Sequence, residues 1–330
     1  MIRGVDGLAS LWTLGRRQIG MARGLVAVGL LTAFVGGSAA AQAPAAQPAP
    51  APVVTTTTTG ANLNISPKRV TFDRAGRTAT VYIFNQGSAP AMVDIGLVDR
   101  IMLPDGQITP VDEALTKPEL KTQVDRQKSA KDMIMITPRR ATLPPGKGQT
   151  IRIRVAPDAT GAESVGEFRS HLTVTTIPPR DVGLTADDAA SANPEQLRFV
   201  VNSVFGLSIP LIVRLGPPDI RGAIENAKVE YDNISPDGVA PARRTPVLSF
   251  DLVRVGANSL FGNIEVRSGK SRTGDPLGVA RGVGVYTEID RRAIRLPITR
   301  APNPGEPLEI TFTDDDTSPG VVVAKGSVAP

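Results

Sequence analysis

The stretch FVVNSVFGLSIPLIVRLGPP, Phe199 to Pro218, decides how this chain is read. Its first fifteen residues, Phe199 to Val213, carry no charge. They are too few and too broken for a membrane helix, which needs about 20 apolar residues. They are also far more than the usual strand of about 5–6 residues. Phe205, Leu207, Ile209, Leu211 and Val213 keep the period of two that marks one face of a strand. Pro210 lacks a backbone N–H, which argues for an edge position. A long, apolar, uncharged edge offers unpaired backbone groups to other chains, and most proteins avoid it. The pattern reads either as an edge strand that a partner covers or as an ordinary core strand passing between domains.

Outward from this stretch the pattern is all-β from Ala61 onward. TATVYIFNQGSAPAMVDIGLVD alternates as two strands around a Gly-containing turn, LPDGQITP reads as a turn, and MIMITP, QTIRIRV and EFRSHLTVTTIP read as strands. No segment after residue 60 combines helical periodicity with caps, so no helix longer than two turns is expected. Turn residues every 8–12 positions suggest an immunoglobulin-like sandwich. Arg180 to Gln196 is a polar loop, and RLGPPD breaks the chain. A second β module follows, with strands near AKVEY, PVLSFDLVRV, FGNIEVR, GVGVYTEI, PLEITFT and GVVVAKGSV. The expected organisation is a domain over 61–216, a domain over 217–330, and an Ala/Pro/Thr-rich linker over 42–60.

The first 41 residues read as a secretory signal peptide. Arg16, Arg17 and Arg23 precede an apolar run, Gly24 to Val35, and small residues follow up to a cleavage site expected after Ala41. The expectation is a periplasmic or secreted protein with no membrane span after cleavage. The whole chain has a formal charge of +5. Without the first 41 residues, 33 basic and 31 acidic residues remain, which gives no general nucleic-acid signal. Local excess remains: Lys117 to Arg154 holds ten Lys/Arg against Glu119, Asp125 and Asp132. There is no Cys, which excludes a disulfide scaffold and a thiol enzyme.

Catalytic and metal chemistry finds little support. The lone His171 shares its strand parity with Arg169 and Thr173, opposite Phe168, Leu172 and Val174, and is expected at the surface. One His and no Cys make no His/Cys metal cluster. ATLPPGKGQT lacks the first Gly and the final Ser/Thr of a phosphate loop and reads as a turn. TDDDT, 313–317, reads as a solvated acidic loop. No enzyme, cofactor or metal is expected.

ISPKRVTFDRAGRTATVYIFNQG, then MITPRRATLPPGKGQTIRIRV, then VFGLSIPLIVR resemble in order the periplasmic pilus-chaperone family (PapD-like). The resemblance covers 62–215, and FGLSIPLIVR looks more like its archaic branch, associated with spore-coat-U-type pili. It implies two immunoglobulin-like domains in an L, and partners that are pilin subunits lacking a final strand, delivered to an outer-membrane usher. It implies that the chaperone lends its own strand to fill the gap, with Phe199, Val201, Phe205, Leu207 and Ile209 as donor-strand residues. The same strand would allow self-association. The family holds the subunit's C-terminal carboxylate with a basic pair. The first member maps onto Arg69; the second, a Lys, falls on Pro210 and is missing, with Arg152 as a replacement because it alternates against Ile151 and Ile153. A different reading keeps the fold and makes the chain a structural or adhesive surface protein with a Thr/Pro stalk.

Overall fold

The computed structural model describes residues 62–156, 165–178, 204–235, 237–269 and 274–328. The leader, the linker, the loop over 180–196, and Phe199 and Val201 lie outside the described residues.

The described chain is two β-sandwiches. In the first, β1 (Leu63–Ser66), β3 (Thr78–Asn85), β9 (Gly148–Val155) and β7 (Ile134–Thr137) make one sheet, in the order β1-β3-β9-β7. The facing sheet runs β2-β11-β10-β4-β8, from β2 (Val70–Phe72), β4 (Ala91–Val98), β8 (Arg140–Leu143), β10 (Gly166–Ile177) and β11 (Gly206–Leu215). Consecutive strands β3 and β4 enter opposite sheets, and β1 and β2 do the same, as a sandwich requires. The two sheets share one core, in which Val81, Ile83, Val93, Ile151, Leu172, Val174 and Leu211 are fully buried. Each such side chain contributes about 1.5–3 kcal/mol through the water it leaves. Strict alternation in RVTF, TVYIF and TIRIRV provides this face. The helices are short: α1 (Val111–Ala114) and α2 (Lys121–Arg126), with 3₁₀ turns at Pro118–Leu120 and Lys131–Met133.

LPDGQITP forms a two-stranded hairpin rather than a bare turn. Strands β5 (Arg100–Met102) and β6 (Ile108–Pro110) pair across it. The Gly106 N–H donates to the Leu103 carbonyl at 2.8 Å, and Gly106 sits at φ +90°, which a side chain would strain.

The second sandwich packs a three-stranded sheet, β12 (Gly222–Ile234), β13 (Arg243–Arg254) and β16 (Arg291–Pro297), on a four-stranded one. That sheet runs β15 (Gly278–Val285), β14 (Leu260–Ser268), β17 (Leu308–Asp314), β18 (Val322–Val328). Its core holds Leu248, Leu252, Leu260, Ile264, Ile310 and Phe312, and also two residues of the first sandwich, Met102 and Ile212.

Candidate functional site

The site begins with β11. Its odd residues Ile209, Leu211, Val213 and Leu215 point into the first core, while Ile212 points into the second. On one side β11 pairs antiparallel with β10 over its whole length, Gly206↔Thr175 to Leu215↔Gly166. On the other side β2 pairs with it in parallel, and only at Leu211↔Val70, Ile212↔Thr71 and Val213↔Phe72. From Gly206 to Pro210 the outer edge of β11 has no ladder partner among the described residues.

The direction of the backbone groups follows from one contact. The Thr176 N–H donates to the Phe205 carbonyl at 2.8 Å, and the Phe205 N–H donates to Thr176 Oγ1 at 2.8 Å, so Phe205 faces β10. Successive strand residues alternate, so Gly206, Ser208 and Pro210 turn their backbone groups outward. The free edge therefore offers two N–H and three C=O groups. Pro210 sits where its missing N–H costs the sheet nothing.

The donor-strand residues divide. Phe205 is 42% exposed and Val204 beside it 58%. Leu207 is half-buried against the first core. Ile209 is 3% exposed within that core, so its side chain is not free for a partner; its parity is right, but its own sandwich uses it.

Arg69 stands one residue before β2. Val70 and Phe72 point into the first core, so Arg69 and Thr71 point the other way, as alternation requires, and meet the second sandwich. There Arg69 Nη2 donates to Asp316 Oδ2 at 3.1 Å and Thr71 Oγ1 donates to Asp316 Oδ1 at 2.9 Å. The Arg69 and Asp316 side chains are 8% and 10% exposed. The guanidinium lies 4.4 Å from the Phe261 ring centre. Asp316 also pairs with Arg214 at 2.9 Å. Burial alone would raise the Asp316 pKa, but the Arg69 and Arg214 guanidiniums outweigh it and hold the carboxyl below its usual range. TDDDT is thus not a solvated loop: Asp316 is locked into the seam between sandwiches, and Asp314 is 2% exposed.

The seam continues along β10 and β11. Arg214 Nε donates to Glu167 Oε2 at 2.8 Å, and Glu167 accepts from the Ser259 backbone N–H at 3.1 Å. Arg169 binds Glu288 through both Nη atoms, at 3.1 and 2.5 Å, and lies 3.7 Å from the Tyr286 ring centre. Glu288 accepts in addition from the Met102 N–H at 2.6 Å. His171, expected at the surface, is 3% exposed, edge-on to Tyr286 with ring centres 6.4 Å apart. Its strand face is the predicted one, but the second sandwich covers that face. Burial, then the charges of Arg169, Arg100 and Arg69, lower its pKa to about 2, so the imidazole is neutral.

Arg152 is exposed on the outer face of β9, in the opposite sheet from β2. It lines a groove of about 580 Å³ with Thr80, Arg140 and Thr150. The structure does not bring it to Arg69. The basic excess over 117–154 is partly neutralised: Lys117, Lys121, Arg126, Lys131 and Arg140 pair with Glu113, Asp125, Asp290, Asp99 and Asp94.

No family model and no curated protein matches the chain. Solved structures do. The YadV chaperone aligns at 12% identity over 81% of this chain and 99% of its own, with a TM-score of 0.39. The E. coli chaperone DraB aligns at 12% over 81% and 96%, TM-score 0.38. The CsuC–CsuE chaperone–tip adhesion subunit pre-assembly complex, from archaic chaperone-usher Csu pili of Acinetobacter baumannii, aligns at 13% over 81% and 97%, TM-score 0.37. At these identities and scores the functional reading rests on the chain's own residues. No described helix is long and apolar enough to cross a membrane.

Proposed function

We propose that the protein is a periplasmic chaperone of pilus assembly that captures incomplete pilin subunits along β11. The observation that carries this is the free outer edge of Gly206 to Pro210, continuous with exposed Phe205 and Val204. Outward N–H and C=O groups on an uncharged strand are what strand addition needs: main-chain bonds supply affinity, and alternate apolar side chains supply fit. The subunit lacking its last strand would complete its sandwich on this edge, with Phe199, Val201, Phe205 and Leu207 toward it. Its terminal carboxylate would meet Arg69, whose planar fork suits two oxygens. Delivery to an outer-membrane usher, the L arrangement and periplasmic residence after signal removal belong to the same reading, as does pairing of two chaperone copies through β11 when no subunit is present.

A photocrosslinker at Phe205, in the exported protein, tests it. The expected product is a crosslink to a small exported β-sandwich subunit missing one strand, lost in Ser208→Pro. A crosslink to an enzyme, or a subunit crosslink unaffected by Ser208→Pro, overturns it.

A further inference from the structure

The Ala/Pro/Thr tract over 42–60 has no part in subunit capture as described above, yet the chain leaves it at the open edge of the first sandwich. The Gln86 N–H donates to the Asn62 carbonyl at 2.6 Å, so Asn62 stands at the Asn85 end of β3. The Asn85 side-chain amide donates to the Ala89 carbonyl at 2.8 Å, which sets the start of β4 at the same end. In the facing sheet β4 and β10 pair at Met92↔Ile177, and β10 and β11 pair at Thr175↔Gly206. Asn62 and Gly206 therefore lie at one end of the sandwich, on sheets about 10 Å apart. Three extended peptide steps, from Asn62 through Ala61 and Gly60 to Thr59, also span about 10 Å.

The residues before that crossing match the edge in chemistry. Val53 to Thr59, VVTTTTT, are all β-branched, the side chains that favour strands. The run is bounded by Pro52, which has no N–H to add to a ladder, and by Gly60, which tolerates a tight turn. No charge occurs from Gln42 to Pro67, and none from Gly206 to Pro210, so nothing repels the pairing.

We propose that residues 53–59 form a displaceable strand that caps the Gly206–Pro210 edge of β11 in the same molecule until a subunit strand takes it. A tail that arrives at Asn62 through a turn at Gly60 runs up the edge antiparallel to β11. Thr59 lies near Gly206 and Thr55 near Pro210, five residues against five, about 14 Å at the rise of a strand. Beyond Pro210 the edge is closed, because β2 takes it from Leu211. The outward N–H groups of Gly206 and Ser208 find acceptors in the tail backbone, and Thr side chains need no pocket. The tether sets the occupant: a few residues of connection give an effective concentration on the order of millimolar, which a second copy of the chain does not reach. The hold is shallow, since Thr buries little apolar surface compared with a subunit strand of large alternate side chains. An occupancy of about four-fifths slows exchange at Gly206 and Ser208 about fivefold and weakens capture by the same factor. Both amides stay fast beside those of a full ladder, which slows exchange on the order of a thousandfold or more. The competition rests on the reading that a subunit strand adds to β11; the cap itself does not.

The absence of Cys makes the test direct. The Ser208 side chain points away from the first core, against Thr173 at 3.1 Å, so only every second tail side chain shares its face. In the exported protein, Ser208→Cys combined in turn with Thr55→Cys, Thr56→Cys, Thr57→Cys, Thr58→Cys and Thr59→Cys should give intramolecular disulfides that alternate between strong and weak along the tail. Equal crosslinking at all five positions, or none, overturns the cap. Disulfides only between molecules overturn it as well, because a second copy then holds the edge. Deleting residues 53–59 should speed exchange at Gly206 and Ser208 about fivefold, leave Leu207 unchanged, and tighten subunit capture about fivefold. Unchanged exchange at both amides, or unchanged capture, overturns the proposal. If Ser208→Pro leaves capture intact, the edge reading fails, and the alternation of disulfides with the exchange rates still decides the cap.

Discussion

Asp316 lies 247 positions from Arg69 in sequence, yet it fixes that residue and Arg214 together. Removing one partner of a buried charge group leaves the others uncompensated, which costs about 3–5 kcal/mol. Asp316→Ala should therefore lower stability in urea unfolding at pH 7 by roughly 3 kcal/mol; an unchanged midpoint would show that the seam is wet. Arg69→Ala should also lower stability, since Arg69 packs on Phe261 as well as pairing. His171 makes the opposite kind of contribution. Its folded pKa is depressed, so below about pH 6.5 the unfolded chain takes up a proton that the folded chain refuses, and stability falls as pH drops. With the folded value at about 2, the loss at pH 4 is about 3 kcal/mol. His171→Gln should remove that slope, leaving the carboxylate titrations in place; parallel pH profiles for the two proteins would refute it. The sequence shows at this scale which face a residue takes and not what covers the face. Val70 and Phe72 correctly turn Arg69 outward, and Phe168 and Leu172 correctly turn His171 away from the first core. Neither pattern reveals that a second sandwich lies on that face, which is why His171 was expected in water and TDDDT was expected to be solvated.

At the scale of the element, β11 is two strands in one. From Leu211 to Val213 it is central, between β10 and β2, and from Gly206 to Pro210 it is an edge among the described residues. The apolar period of two was legible, and so was the edge signal of Pro210. β2 was not: a three-residue strand, VTF, paired in parallel with a segment about 140 residues later, leaves no periodic trace of its pairing. Backbone direction now separates two substitutions that sequence alone treats alike. Ser208→Pro removes an N–H that faces outward and should leave the melting temperature within a few degrees. Ile212→Pro removes an N–H that faces β2 and a side chain buried in the second core, and should destabilise by roughly 3 kcal/mol or more. Thermal unfolding by circular dichroism compares them, and equal losses would mean that the alternation is assigned the wrong way round.

At the scale of the whole molecule, the two sandwiches share more than a connecting Pro–Pro. Met102 of the β5–β6 hairpin and Ile212 of β11 are buried in the second core, and the Ala293 N–H donates to the Pro104 carbonyl at 2.8 Å. The seam adds Arg69–Asp316, Arg169–Glu288, Arg214–Glu167 and Arg126–Asp290. Coupling of this kind predicts one calorimetric transition for both sandwiches, and a Glu288→Ala variant whose transition is lower or splits in two; two separated peaks in the unaltered protein would contradict it. The two-module plan was legible in the turn spacing. The hairpin that reaches across was read as a turn, because three-residue strands fall below any period count.

The edge itself can be read one amide at a time. Hydrogen exchange at Gly206 and Ser208 in the free protein should be fast, with neither N–H held by a ladder, while Leu207 and Ile209 beside them stay protected by β10. In the complex with a captured subunit both amides should slow by at least about tenfold, because the added strand accepts from them. If Gly206 and Ser208 are already protected in the free monomer, or stay fast in the complex, no subunit strand adds to β11 and the chaperone account is wrong.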